Sequence, residues 1–144
     1  MTQYDKDLEV LTRTIWGEAR GELYGDRVAV ANVIMNRLHA GKWYSANTVS
    51  GVCRKPQQFS CWNPGDPNRP KLMSINPADP VFAECMEIAT MALEGTLPDI
   101  TFGATHYFAA PWQAWQLIGE KPEWAKGKKP VIRIGRHLFY NNVD

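Results

Sequence analysis

Long apolar runs are missing from this 144-residue chain: none exceeds four residues, of which Val28-Ala29-Val30-Ala31 is one. A membrane-spanning helix needs about 20 consecutive apolar residues, so none is expected. Excess charge of one sign is missing too. The 16 basic and 15 acidic residues leave a formal net charge of +1, whereas nucleic-acid binders carry a basic excess. Nucleic acid is therefore not an expected partner, and the short Lys126-Gly127-Lys128-Lys129 cluster reads as a solvated loop. Cysteine is scarce and odd in number, three in all (Cys53, Cys61 and Cys85). At least one thiol must stay unpaired, and a Cys53–Cys61 bond is left open. No C-x-x-C pair occurs and His39, His106 and His137 lie far apart, so the spacing supports no metal site, and no cofactor is expected. The first ten residues carry four charges and lack the basic-then-apolar order of a secretory signal. The expectation is synthesis in a cytoplasm without export through its own leader.

What is present is an ordinary globular composition, 44% hydrophobic and 22% charged. It suits a single domain over residues 1–144. One surplus stands out: 16 aromatics, six of them Trp. These either fill a core or line a groove that stacks on sugars or bases.

Helical spacing of Leu8, Leu11 and Ile15 predicts a first helix over residues 5–16. Val28, Ala31, Met35 and Leu38 predict a second, with Asp26 as N-cap and Gly41 as stop. A short helix is expected over residues 46–52. Residues 54–80 hold six Pro and read as a long irregular loop anchored by Phe59 and Trp62. Val81, Cys85, Ile88 and Ala92 predict a third long helix, ended by Gly95. Residues 100–108 and 131–140 are rich in β-branched and aromatic side chains and read as strands, with a loop between them. The fold class is α+β, mainly α, with a small antiparallel sheet near the C-terminus.

The most informative stretch is Ile15-Trp16-Gly17-Glu18-Ala19-Arg20-Gly21-Glu22. Glu18 continues the Leu8, Leu11, Ile15 stripe, so one further helical turn aims its carboxylate at the core side. A carboxylic acid that keeps its proton in such surroundings is what protonating a glycosidic oxygen requires. The alternative is a helix-end cluster in which Glu18 and Glu22 pair with Arg13, Arg20 or Arg27. Glu22, beyond Gly21, is expected to be solvated or Arg-paired rather than a second catalytic acid.

These residues, followed by Val28-Ala29-Val30-Ala31-Asn32-Val33-Ile34-Met35-Asn36-Arg37, resemble the opening of the SleB-type cell-wall hydrolases, the spore-cortex-lytic enzymes and their phage endolysin relatives. Gln58-Phe59-Ser60-Cys61-Trp62 is similar to the family's Q-F-S-x-W segment, and Gly103-Ala104-Thr105-His106-Tyr107-Phe108 to its G-A-T-x-Y-F strand. Pro122, Trp124-Ala125 and Ile134-Gly135 with His137 and Phe139-Tyr140 match its terminal segment, so the resemblance runs over residues 11–140. It implies a lysozyme-like fold cleaving the β-1,4 bond between N-acetylmuramic acid and N-acetylglucosamine in peptidoglycan. A monomer is expected. Several members are lytic transglycosylases that leave a 1,6-anhydromuramic end. The family's catalytic glutamate falls on Glu18. A hydrolytic muramidase using Glu22 or another acid, and an inactive glycan-binding module, are the alternatives. With no leader and no separate wall-binding module expected, the implied setting is a phage endolysin that reaches the wall once the membrane is opened.

The remaining motif residues are candidates for binding glycan. Gln58 and Ser60 suit hydrogen bonds to N-acetyl or hydroxyl groups, or bonds within their own loop. Phe59 suits a core anchor, and Trp62 either stacks on a sugar or caps the core. Thr105 and Tyr107 are expected on one strand face, with Tyr107 near the departing oxygen or the charge developing at C1. Trp16, Phe59, Trp62 and Tyr107 are expected around the cleft. His106 and His137 receive no catalytic role, Trp124 a structural one, and Trp112 and Trp115 stay unassigned.

Overall fold

A computed structural model describes residues 1–110 and 121–144; Trp112 and Trp115 lie outside the described residues. Helix α1 spans Gln3–Ala19 and begins at a capping box in which the Thr2 hydroxyl accepts the Asp5 N–H while the Asp5 carboxylate accepts the Thr2 N–H. It buries Leu11 and Ile15 and runs past Trp16, which puts Glu18 in its last turn. Helix α2 spans Tyr24–Ala40 and ends at Gly41, whose φ of +66° suits glycine. Its N-cap is Leu23, not Asp26. Asp26 sits in the first turn and reaches back to accept the Leu23 N–H at 3.3 Å. A carboxylate at either position stabilises a helix start, which is why the sequence pattern misplaced the boundary.

Helix α3 spans Val49–Arg54, shifted from the expected 46–52 because the Thr48 hydroxyl caps it at the Gly51 N–H. The supposed irregular loop 54–80 contains a 3-10 turn at Ser60–Trp62 and a helix α4 at Asn68–Ser74. Pro70 lies in the first turn of α4, where its missing N–H has no helical acceptor to lose. Helix α5 spans Pro80–Glu94, capped by Asp79 on the Phe82 N–H at 2.9 Å and closed by Gly95 at φ +77°.

Three short strands, β1 His106–Ala109, β2 Ile132–Ile134 and β3 His137–Tyr140, form an antiparallel sheet in the order β1-β3-β2. Two strand expectations are corrected. Residues 100–105 form no strand, because the Asp99 carboxylate accepts the Thr101 and Gly103 N–H groups and folds the chain into a turn. Residues 131–140 are a hairpin rather than one strand. Gly135, at φ +56°, turns the chain so that Ile134 faces His137. The main class is as expected: mostly helical, with the sheet near the C-terminus.

Helix α1 is the central element, packed by α2, α3, α4 and α5. Leu11, Ile15, Ile34, Val52, Phe59, Leu72 and Ile88 are fully buried around it. A smaller core joins α2 to the sheet through Ala29, Val33, Ala104 and Phe139. The three thiols are free and buried, so the open Cys53–Cys61 pairing does not form. Among the described residues, no helix is long and apolar enough to cross a membrane.

Candidate active site

Glu18 occupies the last turn of α1, half-buried. Its neighbour Gly17 decides what reaches it. A Cβ on Gly17 would meet the Cβ and Sγ of Cys61 at 2.9 Å and Leu72 Cδ2 at 3.1 Å. Only a residue without a side chain lets the 58–62 segment lie so close to α1. That approach brings the Cys61 N–H to within 3.4 Å of Glu18 Oε2. From the other side the Tyr107 hydroxyl donates to Glu18 Oε1 at 2.9 Å. Three segments distant in sequence thus converge on one carboxyl group, each oxygen facing a donor.

Tyr107 is held by stacking on Phe139, with ring centroids 5.3 Å apart, and by the His137 ring edge at 5.2 Å. Burial, reinforced by the Glu18 charge, pushes its phenol well above the ordinary range, so it acts as a donor. Burial and Glu18 likewise push the Cys61 thiol far up, which keeps its proton in place. Phenol, peptide N–H and protonated thiol are hydrogen-bond donors rather than metal ligands. What they can do is hold a carboxyl group and stabilise it when it becomes charged.

The salt-bridge alternative for Glu18 is not what forms. Arg13 pairs with Glu9 and donates to the Ile75 carbonyl. Arg20 donates to Asn68 Oδ1 and covers a face of Trp16 at 4.4 Å. Arg27 pairs with Glu84 and holds the carbonyls of Ala19, Arg20 and Glu22. Glu22 is Arg-paired as expected, but with Arg136 of the hairpin.

The other candidates fall into two groups. Tyr107 touches Glu18, and Gln58 and Ser60 lie on the same segment as Cys61. Ser60 is exposed. Gln58 Oε1 accepts from Arg37 Nη1 at 3.1 Å. A guanidinium only donates, so the oxygen of the Gln58 amide must face it, which leaves the NH2 as the donor end of the side chain. Thr105 and Trp62 are committed elsewhere. The Thr105 hydroxyl shares a 2.9 Å hydrogen bond with His106 Nδ1. Trp62 is 9% exposed, its indole N–H donates to Thr14 Oγ1 at 2.8 Å, and Arg54 covers one ring face at 4.9 Å. Trp16 and Phe59 are core residues rather than groove walls.

Arg37 was not anticipated. Only 5% exposed, it donates through Nε to the Thr105 carbonyl at 2.6 Å and through Nη1 to Gln58, with Phe59 and Tyr44 rings against it. It ties α2 to both segments that reach Glu18. Its position on the same α2 face as the buried Val33 and Ile34 was the available signal. Asp26, 4% exposed, does more than cap α2: its Oδ1 lies 3.8 Å from the Nδ1 of His137, whose ring edge meets Tyr107. His137 is pushed down by burial, against the opposing pull of Asp26 and Glu22.

The family model of the Cell Wall Hydrolase matches residues 21–140. The chain belongs to the cell wall hydrolase family. Among its relatives, this cell wall hydrolase is 39% identical over 133 residues to the spore cortex-lytic enzyme of Oceanobacillus iheyensis, covering 92% of the chain and 41% of that protein. It is 31% identical over 137 residues to the spore cortex-lytic enzyme of Halalkalibacterium halodurans, covering 95% of the chain and 35% of that protein. The chain thus spans about two fifths of the length of the curated relatives it matches. The 95% coverage leaves too few residues outside it to exclude Glu18 from the aligned span. The catalytic domain of Bacillus cereus SleB superposes with a TM-score of 0.67 at 28% identity, over 94% of this chain and 89% of that one. The catalytic domain of the germination-specific lytic transglycosylase SleB from Bacillus anthracis gives 0.65 at 28% identity, over 93% of each. Within the family, the chain is a cell wall hydrolase of SleB type.

Proposed function

We propose that this domain is a peptidoglycan lytic transglycosylase acting as a monomer on the β-1,4 bond between N-acetylmuramic acid and N-acetylglucosamine. The observation that carries it is Glu18 at the end of α1, unpaired with any cation among the described residues and flanked by the Tyr107 hydroxyl and Cys61 N–H. In its acid form Glu18 gives its proton to the bridging oxygen as the C1–O bond breaks. Tyr107 and the Cys61 N–H stabilise the carboxylate that appears. That carboxylate then takes the proton from the C6 hydroxyl of the same muramic acid while O6 attacks C1. The new C1–O6 bond closes the 1,6-anhydro ring, and Glu18 is an acid again. No water is consumed, because the nucleophile is already part of the substrate.

A single carboxylate suffices for this sequence, unlike the pair that an ordinary inverting or retaining hydrolase needs. The fixed state of the neighbouring acids favours it. Glu22 is held by Arg136, and Asp26 is buried beside His137. The name of the Bacillus anthracis neighbour, a lytic transglycosylase, points the same way. Gln58, Ser60 and Tyr107 are proposed to touch the glycan directly, with the Gln58 NH2 donating to an acetamido carbonyl. Thr105 and Trp62 are proposed to act at the same subsites from behind them.

The test is release of soluble fragments from purified peptidoglycan by the wild type, Glu18→Gln and Glu18→Asp. The expected order is full activity, none detectable, and strongly reduced. Full activity in Glu18→Gln would refute the mechanism, and no activity in the wild type would favour an inactive glycan-binding module. Host lysis by a phage endolysin is the setting we propose. The relatives' name makes spore cortex the competing one. Lysis of cells expressing the chain when their membrane is opened, with no activity on cortex fragments, supports the former; the converse supports the latter.

A further inference from the structure

The segment that presses on Glu18 also walls a cleft of about 740 Å³. Arg54, Lys55 and Arg69 line it together with Trp62, Gln57 and Asn63, and no carboxylate is among the described residues lining it. None of the three cations belongs to an ion pair among the described residues. The protein as a whole is almost neutral, at +1, so this concentration of positive charge is local.

The cleft is also pre-formed. Arg54 rests on the Trp62 ring at 4.9 Å, and Trp62 is itself anchored to Thr14. Lys55 Nζ is steered by a 3.3 Å hydrogen bond to the Ser45 carbonyl, which leaves its charge unneutralised. Gln57 is held at φ +63°, a conformation that a non-glycine residue adopts only where its surroundings impose it. Trp62 offers little ring surface to a sugar, since one face is covered and its N–H is used. The cleft therefore displays guanidinium and ammonium groups, flanked by two amides, and suits a carboxylate-bearing ligand.

Its place along the chain says which. Trp62 follows Cys61, whose N–H meets Glu18, and Gln57 precedes Gln58. The glycan of peptidoglycan is uncharged along its sugars; its carboxylates sit on the peptide stems that hang from muramic acid. We infer that this cleft binds the stem-peptide carboxylates of the same strand whose glycosidic bond lies at Glu18. The inference rests on the function proposed above.

The experiment compares glycan strands bearing intact stems with the same strands stripped of stems by an amidase, the muramic lactyl carboxylates that the amidase exposes being then converted to uncharged amides. The wild type is expected to show a KM about fivefold lower on the stem-bearing strands, with the advantage shrinking as salt rises. Arg54→Gln and Arg69→Ala are expected to lose that advantage while matching the wild type on stripped strands. The Arg69 side chain has no ring to cover and no ion pair to lose among the described residues, so it guards against a folding artefact at Arg54. Equal KM on both substrates in the wild type overturns the inference, as does an equal loss on both substrates in the variants. Relief of the stem advantage by inorganic phosphate but not by free stem peptide also overturns it, and assigns the cleft to a phosphate-bearing polymer. A wild type that cuts neither strand brings down the proposed function and this inference together.

Discussion

Replacing Gly17 by Ala tests whether the closeness of α1 to the 58–62 segment creates the site. In a free helix the change is favourable by about 0.5–1 kcal/mol, because alanine loses less backbone entropy. Here the new methyl would stand 2.9 Å from Cys61 Cβ and Sγ. The Cβ atom cannot swing aside without its backbone, and overpacking of this kind costs about 1–3 kcal/mol. The balance is a destabilisation of up to about 2.5 kcal/mol, and of about 1–3 kcal/mol relative to a helical Gly→Ala change without the clash, read as a fall in Tm of about 3 °C per kcal/mol for a domain of this size. Gly25, also in a helix, provides the matched control. Nothing lies within 4 Å of the place its Cβ would take, so Gly25→Ala is expected to be neutral or to raise Tm slightly. Activity gives the second reading. The Cys61 N–H to Glu18 bond is already long at 3.4 Å, and pushing the segment outward removes it. Turnover on peptidoglycan is expected to fall about tenfold, the value of one lost hydrogen bond. A Gly17→Ala protein as stable as Gly25→Ala and fully active would refute this account of the site.

Tyr107→Phe keeps the ring packing on Phe139 and removes the donor to Glu18. Its kcat is expected to fall about 10- to 100-fold with little change in Tm, and an unchanged kcat would contradict its role. Gln58→Glu keeps the acceptor facing Arg37 but removes the NH2 donor; the expected result is a raised KM with Tm preserved or increased, and an unchanged KM would sink the donor assignment. His106 is buried among Tyr44 and Trp124 and pushed down to about 4 by burial, with Arg37 and Lys128 adding to the effect. Between that value and its ordinary 6.5 the unfolded chain binds a proton that the folded chain does not. The associated stability is present above pH 6.5 and lost as pH falls toward about 4, so melting temperatures at pH 7 and pH 5 should differ less in His106→Gln than in the wild type.

Much of this architecture is legible in the chain, for reasons that differ by element. The stripes of α1, α2 and α5 repeat at helical spacing because each buries one face, so their existence was readable even where Asp26 disguised the start of α2. Helix α4 was hidden because Pro70 looks like a breaker, and its harmless position in the first turn depends on where the helix begins. The hairpin of β2 and β3 read as one strand because its turn needs only Gly135. Glu18 was visible through its place on the α1 stripe and its motif. What the sequence could not display is convergence. The contact of Cys61 with Gly17, the Arg37 bridge from Gln58 to Thr105, and the Asp26–His137 pair beside Tyr107 all join residues far apart in the chain. Trp62 misleads for a related reason. Its aromatic character suits a sugar platform, but its neighbours Thr14 and Arg54 use the N–H and one face.

The central claim is that Glu18 serves a nucleophile within the substrate rather than water. Digestion of purified peptidoglycan in water labelled with heavy oxygen, followed by mass spectrometry of the released fragments, addresses it directly. Fragments one water lighter than hydrolysis products, ending in 1,6-anhydromuramic acid and free of label, are the predicted result, and they should vanish with Glu18→Gln. Reducing muramic ends carrying the heavy oxygen would contradict it and make the enzyme a hydrolytic muramidase.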